Sequence, residues 1–166
     1  MHWYLIHTKP RQEQRALDNL LRQGYECFLP MLAVEKLRRG RVHLVQEALF
    51  SRYLFIRLGM GLVGQGWGPI RSTQGVTRLV TFGSEPAKIE TQLVTLLREQ
   101  QDEAANPAKL LFTPGDLVRI KDGPFAGLQG VYQMTDGEQR AMVLLEILSK
   151  PAKLRVAPAS LVKVLV

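Results

Sequence analysis

Two glycine-rich stretches have the residue spacing that could cradle a phosphate group. The first, GMGLVG (59–64), fits the pattern G-x-G-x-x-G and follows a strand-like run, as in folds that bind dinucleotides. Such a site needs a helix that begins at the third glycine, and the next residues, QGWGP (65–69), cannot nucleate one. We therefore interpret 59–64 as a surface loop, and we predict no nucleotide cofactor.

The second stretch, GDLVRIKDGPFAGLQGVY (115–132), favours turn geometry over phosphate binding. No Gly-Lys-Ser/Thr follows its glycines, and the flanking runs are strand-like on both sides, which is not the context of a P-loop. Glycine suits the tight turns and backbone crossings of a small β-barrel, where side chains would clash. The stretch therefore predicts two barrel strands joined by the turn DGPF (122–125).

The other residues of the sequence give little indication of catalysis. The chain has no recognisable nucleophile–base pair and no paired carboxylates in a cleft-like setting. The only cysteine, Cys27, has no metal-ligand spacing with His2, His7 or His43, so we interpret it as a small buried hydrophobe. We expect a protein that is not an enzyme and that binds neither a metal nor a cofactor.

The charge of the chain indicates a polyanionic partner. The net charge is +7 and the pI is about 9.9, and residues 1–99 hold 14 Lys/Arg against 8 Asp/Glu, whereas residues 100–166 hold 8 against 7. The basic surface therefore belongs to the first part. The sequence also lacks a long uncharged apolar run, and charged residues occur too close to its first residue for the apolar region of a signal peptide. We therefore expect a cytoplasmic protein without a membrane segment.

Apolar periodicity predicts an α/β sandwich for residues 1–99. A strand (2–8) precedes a helix that Gly24 can end, and two extended runs (25–37 and 41–50) are joined by a tight turn at Gly40. Further strands are predicted at 53–58 and 76–82, with a short helix near Pro69 and a longer helix after Pro86. The fold class is therefore α+β, with four or five strands and two or three helices in the first domain.

The second part of the chain predicts a linker and a small barrel. Residues 100–112 lose periodicity and contain Asn106-Pro107, which is typical of a linker. Residues 113–166 hold short strand-like runs, including LQGVYQM (128–134) and RAMVLLEIL (140–148), separated by turn signals. We predict a five-stranded β-barrel over 113–166.

Several of these motifs together resemble one protein family. The opening WYLIHTKPRQEQRALDNL (3–20), the strand YLF (53–55), the element FGSEP (82–86) and the glycines of the KOW-like motif (115–130) resemble the NusG family of transcription elongation factors. Within that family, residues 12–41 and 136–148 are more similar to the RfaH branch of operon-specific antiterminators than to the general factor.

The resemblance implies a function and a set of polymerase contacts. The first domain of this chain would be of the NGN type, would bind the clamp helices of the largest RNA polymerase subunit and would suppress pausing. The second, the KOW domain, would recruit ribosomal protein S10 or the termination factor Rho. We expect a monomer. The residues at the matching positions are Tyr53, Phe55, Trp67, Phe82 and Leu97. Plain core packing is the alternative for these side chains, and sequence alone leaves the two interpretations about even.

The resemblance also implies that the first domain contacts the exposed non-template DNA strand. Lysine and arginine would anchor phosphates, and glutamine could reach base edges. A solvated basic face remains the alternative. The candidate DNA-binding residues are Lys9, Arg11, Gln12, Arg15, Arg52, Arg71, Thr73 and Gln74.

The family offers two folds for the C-terminal segment. In RfaH it is a helical hairpin that covers the polymerase-binding site and refolds into a barrel on release, and Glu47 and Arg140 match oppositely charged positions that pin the two domains together. Pro124, Gly127 and Gly130 would lie inside the first helix of such a hairpin, so we favour the barrel as the resting form. Two other functions stay open: a general NusG-type elongation factor and a translation-associated KOW protein that binds RNA.

Overall fold

The structure, a computed structural model, describes residues 2–59, 67–103, 117–120, 128–132, 134–149 and 161–164. It mixes helices and strands, as predicted. The strands are β1 His2–Thr8, β2 Glu26–Phe28, β3 Met31–Arg38, β4 Arg41–Ala48, β5 Tyr53–Leu58, β6 Val76–Leu79, β7 Thr81–Phe82, β8 Glu85–Pro86, β9 Lys88–Ile89, β10 Leu117–Ile120 and β11 Leu161–Val164. The helices are α1 Glu13–Arg22, α2 Trp67–Arg71, α3 Thr91–Glu103, α4 Leu128–Val131 and α5 Gly137–Ser149.

An antiparallel five-stranded sheet forms the centre of the molecule. Its order is β2-β5-β1-β6, and β9 also pairs with β1. Alternate residues of a strand point to opposite faces, so Tyr4 and Ile6 pack with α1 and α2, whereas Trp3 and Leu5 pack with α3 and α5. The sheet therefore lies between two helical layers, and α5 belongs to one of them.

A separate hairpin extends from the sheet and is formed by β3 and β4. The two strands pair in register from Met31↔Ala48 to Arg38↔Arg41. The two turn residues have positive φ, 52° at Arg39 and 74° at Gly40, as a two-residue hairpin turn requires. The predicted hairpin at Gly40 is confirmed.

The predicted barrel is wrong for two of its strands. LQGVYQM (128–134) begins with the short helix α4, and RAMVLLEIL (140–148) lies within helix α5. The carboxylate of Asp136 accepts a hydrogen bond from the Glu138 amide at 3.0 Å, which starts α5. An apolar run of this length can form either a strand or a helix. Burial of one face of α5 against the sheet favours the helix. Among the described barrel segments, β10 pairs with β11 in antiparallel register. Gly130 lies within α4, whereas Pro124 and Gly127 lie outside the described residues.

The predicted linker also begins too early. Helix α3 extends to Glu103, so residues 100–103 are helical and Gln100 is buried. Residues 104–112 of the linker lie outside the described part of the chain, and the division into domains 1–99 and 113–166 stays a prediction.

Within the described ranges, no helix is long and apolar enough to span a bilayer, and no cluster of His, Cys, Asp and Glu could hold a metal ion.

Candidate functional site

Helix α1 is held against the turn that precedes β6 by three side-chain hydrogen bonds. Arg15 Nη2 donates to Gln74 Oε1 at 2.7 Å, and Asn19 Nδ2 donates to the Gln74 carbonyl at 3.2 Å. At the C-cap of the helix, Gln23 Nε2 donates to Thr73 Oγ1 at 2.7 Å. Because a guanidinium group only donates hydrogen bonds, the amide oxygen of Gln74 must face Arg15, and its NH2 group must point away.

A close backbone approach at Gly75 makes this arrangement possible. Gly75 has a φ of +94°, and its carbonyl accepts a hydrogen bond from the Lys9 amide at 2.8 Å. A Cβ atom at this position would lie 2.8 Å from the backbone nitrogen of Ala16. Glycine is therefore required here by both φ and the proximity of α1.

We expect Gly75→Ala to destabilise the protein by about 2–4 kcal/mol, because it combines a left-handed conformation with a steric clash. Gly83→Ala is the matched control, since Gly83 also has positive φ, +66°, but a Cβ atom added there would meet no other atom within 4 Å. The control should lose only about 1–2 kcal/mol. Urea unfolding of both variants measures the difference, and equal losses would show that α1 does not approach this turn as closely as described.

The candidate DNA-binding residues differ in the exposure of their side chains. Lys9, Arg11, Arg15, Arg71 and Gln74 are exposed, and Gln12 and Arg52 are half-buried. Thr73 is only 7% exposed, and its hydroxyl donates to the Pro69 carbonyl at 2.8 Å. Thr73 therefore supports the turn from inside and is poorly placed to contact DNA.

Arg52 is brought close to the loop that precedes α1. Its Nε donates to the Thr8 carbonyl at 3.1 Å, and its own carbonyl accepts from the Thr8 amide at 2.8 Å. Lys9 follows directly. The exposed cations at the start of α1 thus lie beside the end of β1 and the loop before β5, and this surface can donate several hydrogen bonds to an anion.

The candidate polymerase-binding residues differ strongly in exposure. Phe55 and Leu97 are buried, and Phe55 packs with Phe28 and Phe50 at ring-centroid distances of 6.1 and 6.4 Å. Phe82 is 40% exposed. Tyr53 is half-buried. Trp67 is the first residue of α2, and its side chain lies outside what the structure describes.

Tyr53 packs against a histidine at the end of β1. The ring centroids of His7 and Tyr53 are 4.9 Å apart. Burial lowers the pKa of His7, and the neighbouring charges of Arg52 and Arg78 lower it further. The imidazole therefore favours its neutral form, which suits an apolar contact surface.

Helix α5 covers part of this surface. Ala141, Leu144 and Ile147 are buried in the same cluster as Phe55 and Leu97, and Tyr53 packs against that cluster. A cavity of about 300 Å³ remains at the edge, lined by His7 and Tyr53 on one side and by Met142 and Leu145 on the other. Of the candidate polymerase-binding side chains, Tyr53, Phe55 and Leu97 thus pack in a cluster that includes the C-terminal part of the chain.

Arg140 fastens α5 to the end of the hairpin. Its side chain is 0% exposed, and its guanidinium donates to Glu47 Oε1 at 2.6 Å, to the Leu49 carbonyl at 2.6 Å and to the Met134 carbonyl at 2.7 Å. The structure therefore brings together Glu47 and Arg140, the two residues singled out from the sequence as an interdomain pair.

The carboxylate of Glu47 is shared with a second cation, Lys36, whose Nζ lies 3.2 Å from Oε2. Burial raises the pKa of Glu47, but the hydrogen bonds and charges of Arg140 and Lys36 outweigh burial, and the pKa lies below its ordinary value. The stabilising contribution of Glu47 is consequently complete at neutral pH and is lost as the pH falls through the lowered pKa of the folded state.

Sequence reasoning missed most of the groups that surround Arg140. Three of its acceptors are backbone carbonyls, of Leu49, Met134 and, at 3.4 Å, Ala48, and a carbonyl leaves no trace in the residue types. Lys36 could have been found, because it lies on the strand that pairs with the strand of Glu47.

Cys27 is half-buried, and burial raises the pKa of its thiol to about 12, so this thiol stays protonated.

Comparison with known proteins gives matches that cover up to 98% of the chain. A family model described as "Transcription termination factor nusG" matches residues 1–98. The "Transcription termination/antitermination protein NusG" of Thermus thermophilus is 27% identical over 98% of both chains, and that of Deinococcus radiodurans is 28% identical over 90% of this chain and 92% of its own. A solved structure described as "Domain interaction in Thermotoga maritima NusG" aligns with a TM-score of 0.42 at 20% identity, covering 75% of each chain. These relatives carry the name NusG, so they do not distinguish the RfaH branch.

Proposed function

Because this chain belongs to the NusG family of transcription termination and antitermination factors, we propose that it binds RNA polymerase during elongation, suppresses pausing and is not an enzyme. The exposed cationic surface at the start of α1 is the observation that carries the proposal. It is formed by Lys9, Arg11 and Arg15, and Gln74 orients the guanidinium of Arg15. Such a surface suits a protein that works beside nucleic acid in the cytoplasm.

The nucleic acid that this surface would contact is the exposed non-template DNA strand. The cations would bind phosphates, and Gln12 and Gln74 would contact base edges. The NH2 group of Gln74 points away from Arg15, so this position offers donors to a base. Donors favour a base with acceptors on its edge, such as guanine with N7 and O6.

The polymerase contact would use the surface around Tyr53, and the partner would be the clamp helices of the largest subunit. Phe82 is accessible as described, whereas Phe55 and Leu97 are buried beneath other side chains and would shape the surface from below. Trp67 is kept as a further candidate contact on α2. An apolar, half-buried aromatic surface is a common kind of protein-binding site.

Two modes of action remain candidates. The names of the relatives mildly favour a general factor. The operon-specific alternative is favoured by one observation, namely that α5 packs over the surface around Tyr53 and Leu97 and is fastened by Arg140. In that alternative, release of α5 would accompany recruitment, and the released segment would form the KOW barrel that binds ribosomal protein S10 or Rho.

We expect removal of charge at Lys9, Arg11 or Arg15 to weaken binding to an elongation complex and to flatten its salt dependence. Each lost phosphate contact on a single strand should lower the slope of log affinity against log salt by about 0.7. Gln12→Ala should instead reduce discrimination between non-template sequences. Arg57→Ala is the control, because Arg57 is a cation on β5 whose side chain is 40% exposed and pairs with Glu26. If the three charge variants bind with the slope of the control, the proposed surface is wrong.

A further inference from the structure

The register of the β3–β4 hairpin determines which backbone groups of β3 point away from β4. The residues that flank a two-residue turn, here Arg38 and Arg41, form a hydrogen-bonded pair. Such pairs alternate along an antiparallel ladder with pairs whose N–H and C=O groups point outward. The outward-pointing residues of β3 are therefore Met31, Ala33, Glu35 and Leu37.

Contacts at the base of the hairpin agree with this assignment. The Met31 amide donates to Gln101 Oε1 on α3 at 2.8 Å, so it points away from β4. Ala48 is paired with Met31, and its carbonyl accepts a hydrogen bond from Arg140 Nη2 at 3.4 Å on the side away from β3. The two residues of this pair thus direct their backbone groups to opposite outer edges of the hairpin.

Further toward the turn, the outer edge of β3 is unpaired. Among the described strands, β3 pairs with β4 alone. Within the same part of the chain, no hydrogen bond joins the backbone of Ala33, Glu35 or Leu37 to a residue outside the hairpin. All three residues are exposed, and each offers one donor and one acceptor. An edge of this kind is a template for a further strand.

The side chains along this edge have a definite order of charge. Glu35 and Leu37 lie on one face of the hairpin, and Lys36 and Arg38 lie on the other, because successive residues of a strand alternate. Leu37 is 72% exposed, and among the described residues no ion pair is formed by Glu35. A strand beside β3 would complement this order with an apolar residue next to Leu37, a cation next to Glu35 and carboxylates next to the two cations.

We propose that the outer edge of β3 binds an extended peptide of a partner protein as a third strand, with side chains in that complementary order. In such a complex, main-chain hydrogen bonds give affinity and the alternate side chains give specificity. A cavity of about 590 Å³, lined by Ala33, Leu97 and Tyr132 among others, can accept an apolar peptide side chain at the inner end of the edge. The site is separate from α1 and from the surface around Tyr53, so it goes beyond the function proposed above.

A second copy of this chain is the competing occupant. Two β3 edges can pair antiparallel through the free groups of Ala33, Glu35 and Leu37, and Glu35 of each copy then lies opposite Glu35 of the other. Like charges directly opposite each other destabilise a strand pair. The charge order of the edge therefore favours a different protein over self-association.

The test is an NMR titration of the full-length chain with the peptide DLEKVL. Antiparallel to β3, this peptide places its lysine next to Glu35 and its first leucine next to Leu37. The amides of Ala33, Glu35 and Leu37 should shift and become protected from hydrogen exchange, with half-saturation below about 1 mM peptide. A scrambled peptide of the same composition is the control and should leave these amides unchanged.

A charge exchange tests the predicted order without disturbing the fold, because Glu35 is exposed. Glu35→Lys should weaken binding of DLEKVL about fivefold and strengthen binding of DLEEVL by a similar factor, since it exchanges an attractive cross-strand pair for a repulsive one. Unchanged affinities for both peptides would contradict the proposed site.

Proline variants distinguish the two edges of the hairpin. Leu37 and Val42 are paired directly, so Leu37→Pro removes an outward N–H from β3 and Val42→Pro removes one from β4. Leu37→Pro should weaken peptide binding at least about fivefold, whereas Val42→Pro should bind as the unmodified chain does. Thermal unfolding checks that both variants are folded.

The proposal fails if the peptide leaves the β3 amides unchanged at about 1 mM. It also fails if Val42→Pro weakens peptide binding as much as Leu37→Pro does. Sedimentation of the peptide-free chain supplies the last outcome: a dimer that Leu37→Pro dissociates would assign the edge to a second copy and overturn the proposal.

Discussion

Replacing Arg140 with alanine is expected to detach α5 from the sheet. The change removes a fully buried guanidinium and leaves Glu47 and the carbonyls of Leu49 and Met134 without their shared donor. Breaking a buried ion pair by removing one partner costs about 3–5 kcal/mol. Native-state hydrogen exchange should therefore show protection of the α5 amides lowered by about 2 to 3.5 decades, since about 1.4 kcal/mol corresponds to one decade.

Lys36→Ala is the matched control for this prediction. It removes the other cation on the same carboxylate, but its side chain is 48% exposed, and exposed ion pairs contribute about 0–1 kcal/mol. The exchange of α5 should then change by less than about fivefold. Similar effects of the two substitutions, or unchanged protection in Arg140→Ala, would mean that Arg140 does not hold α5 in place.

Phe55→Ala is expected to lower the free energy of unfolding by about 3–5 kcal/mol, the usual cost of removing a fully buried phenylalanine. Its ring packs against Phe28 and Phe50 in the core beneath α5, so the change leaves a cavity. Phe82→Ala should cost less than about 1 kcal/mol, because Phe82 is 40% exposed and lies on the short strand β7. Urea unfolding measures both values.

The same two variants separate core packing from polymerase contact. Phe82→Ala should retain the fold and weaken binding to RNA polymerase, if this residue contributes to the proposed surface. Phe55→Ala should reduce polymerase binding only in proportion to its loss of folded protein. A stable Phe55→Ala variant with weakened polymerase binding would contradict the buried position described for this ring.

The first part of the fold was predictable because its local signals agree with one another. The apolar run of β1, the glycine after α1 and the turn at Gly40 each favour one local geometry, and the structure adopts all three. The layers could also be anticipated, since β1 is apolar on both faces and must be covered on both sides. The position of Gly75 against α1 could not, because the approach joins segments that are far apart in the sequence and depends on tertiary packing.

The C-terminal segment was mispredicted for a physical reason. Leu144, Leu145 and Ile147 belong to an apolar run that satisfies a strand or a buried helix equally well. The choice depends on the surface available for burial, and in this structure helix α3 and strand β5 of the sheet provide that surface. Pairing of β10 with β11 shows that strand-forming segments are present nearby, as their sequences predicted. The conformation of such a run is therefore set by its partners more than by its residues.

The residues of the candidate site could be named by resemblance, whereas their geometry was only partly predictable. The resemblance to the NusG family pointed to the pair Glu47 and Arg140, and the structure places their charged groups 2.6 Å apart. Thr73 was misjudged as a surface contact because a hydroxyl beside Gln74 gives no indication of burial, whereas its bonds to Pro69 and Gln23 hold it inside the turn. Exposure is a property of the packed chain, so residue type alone leaves it open.

Recruitment to a paused elongation complex tests the proposed function most directly. Purified RNA polymerase is halted on a defined template, the non-template strand in the exposed region is varied, and binding of this protein is measured together with the duration of the pause. We predict that the protein binds the complex, shortens the pause, and does both less well when Lys9, Arg11 and Arg15 are replaced by alanine. Failure to bind any of the complexes, or unchanged pausing by a polymerase to which it is bound, would contradict the proposed function.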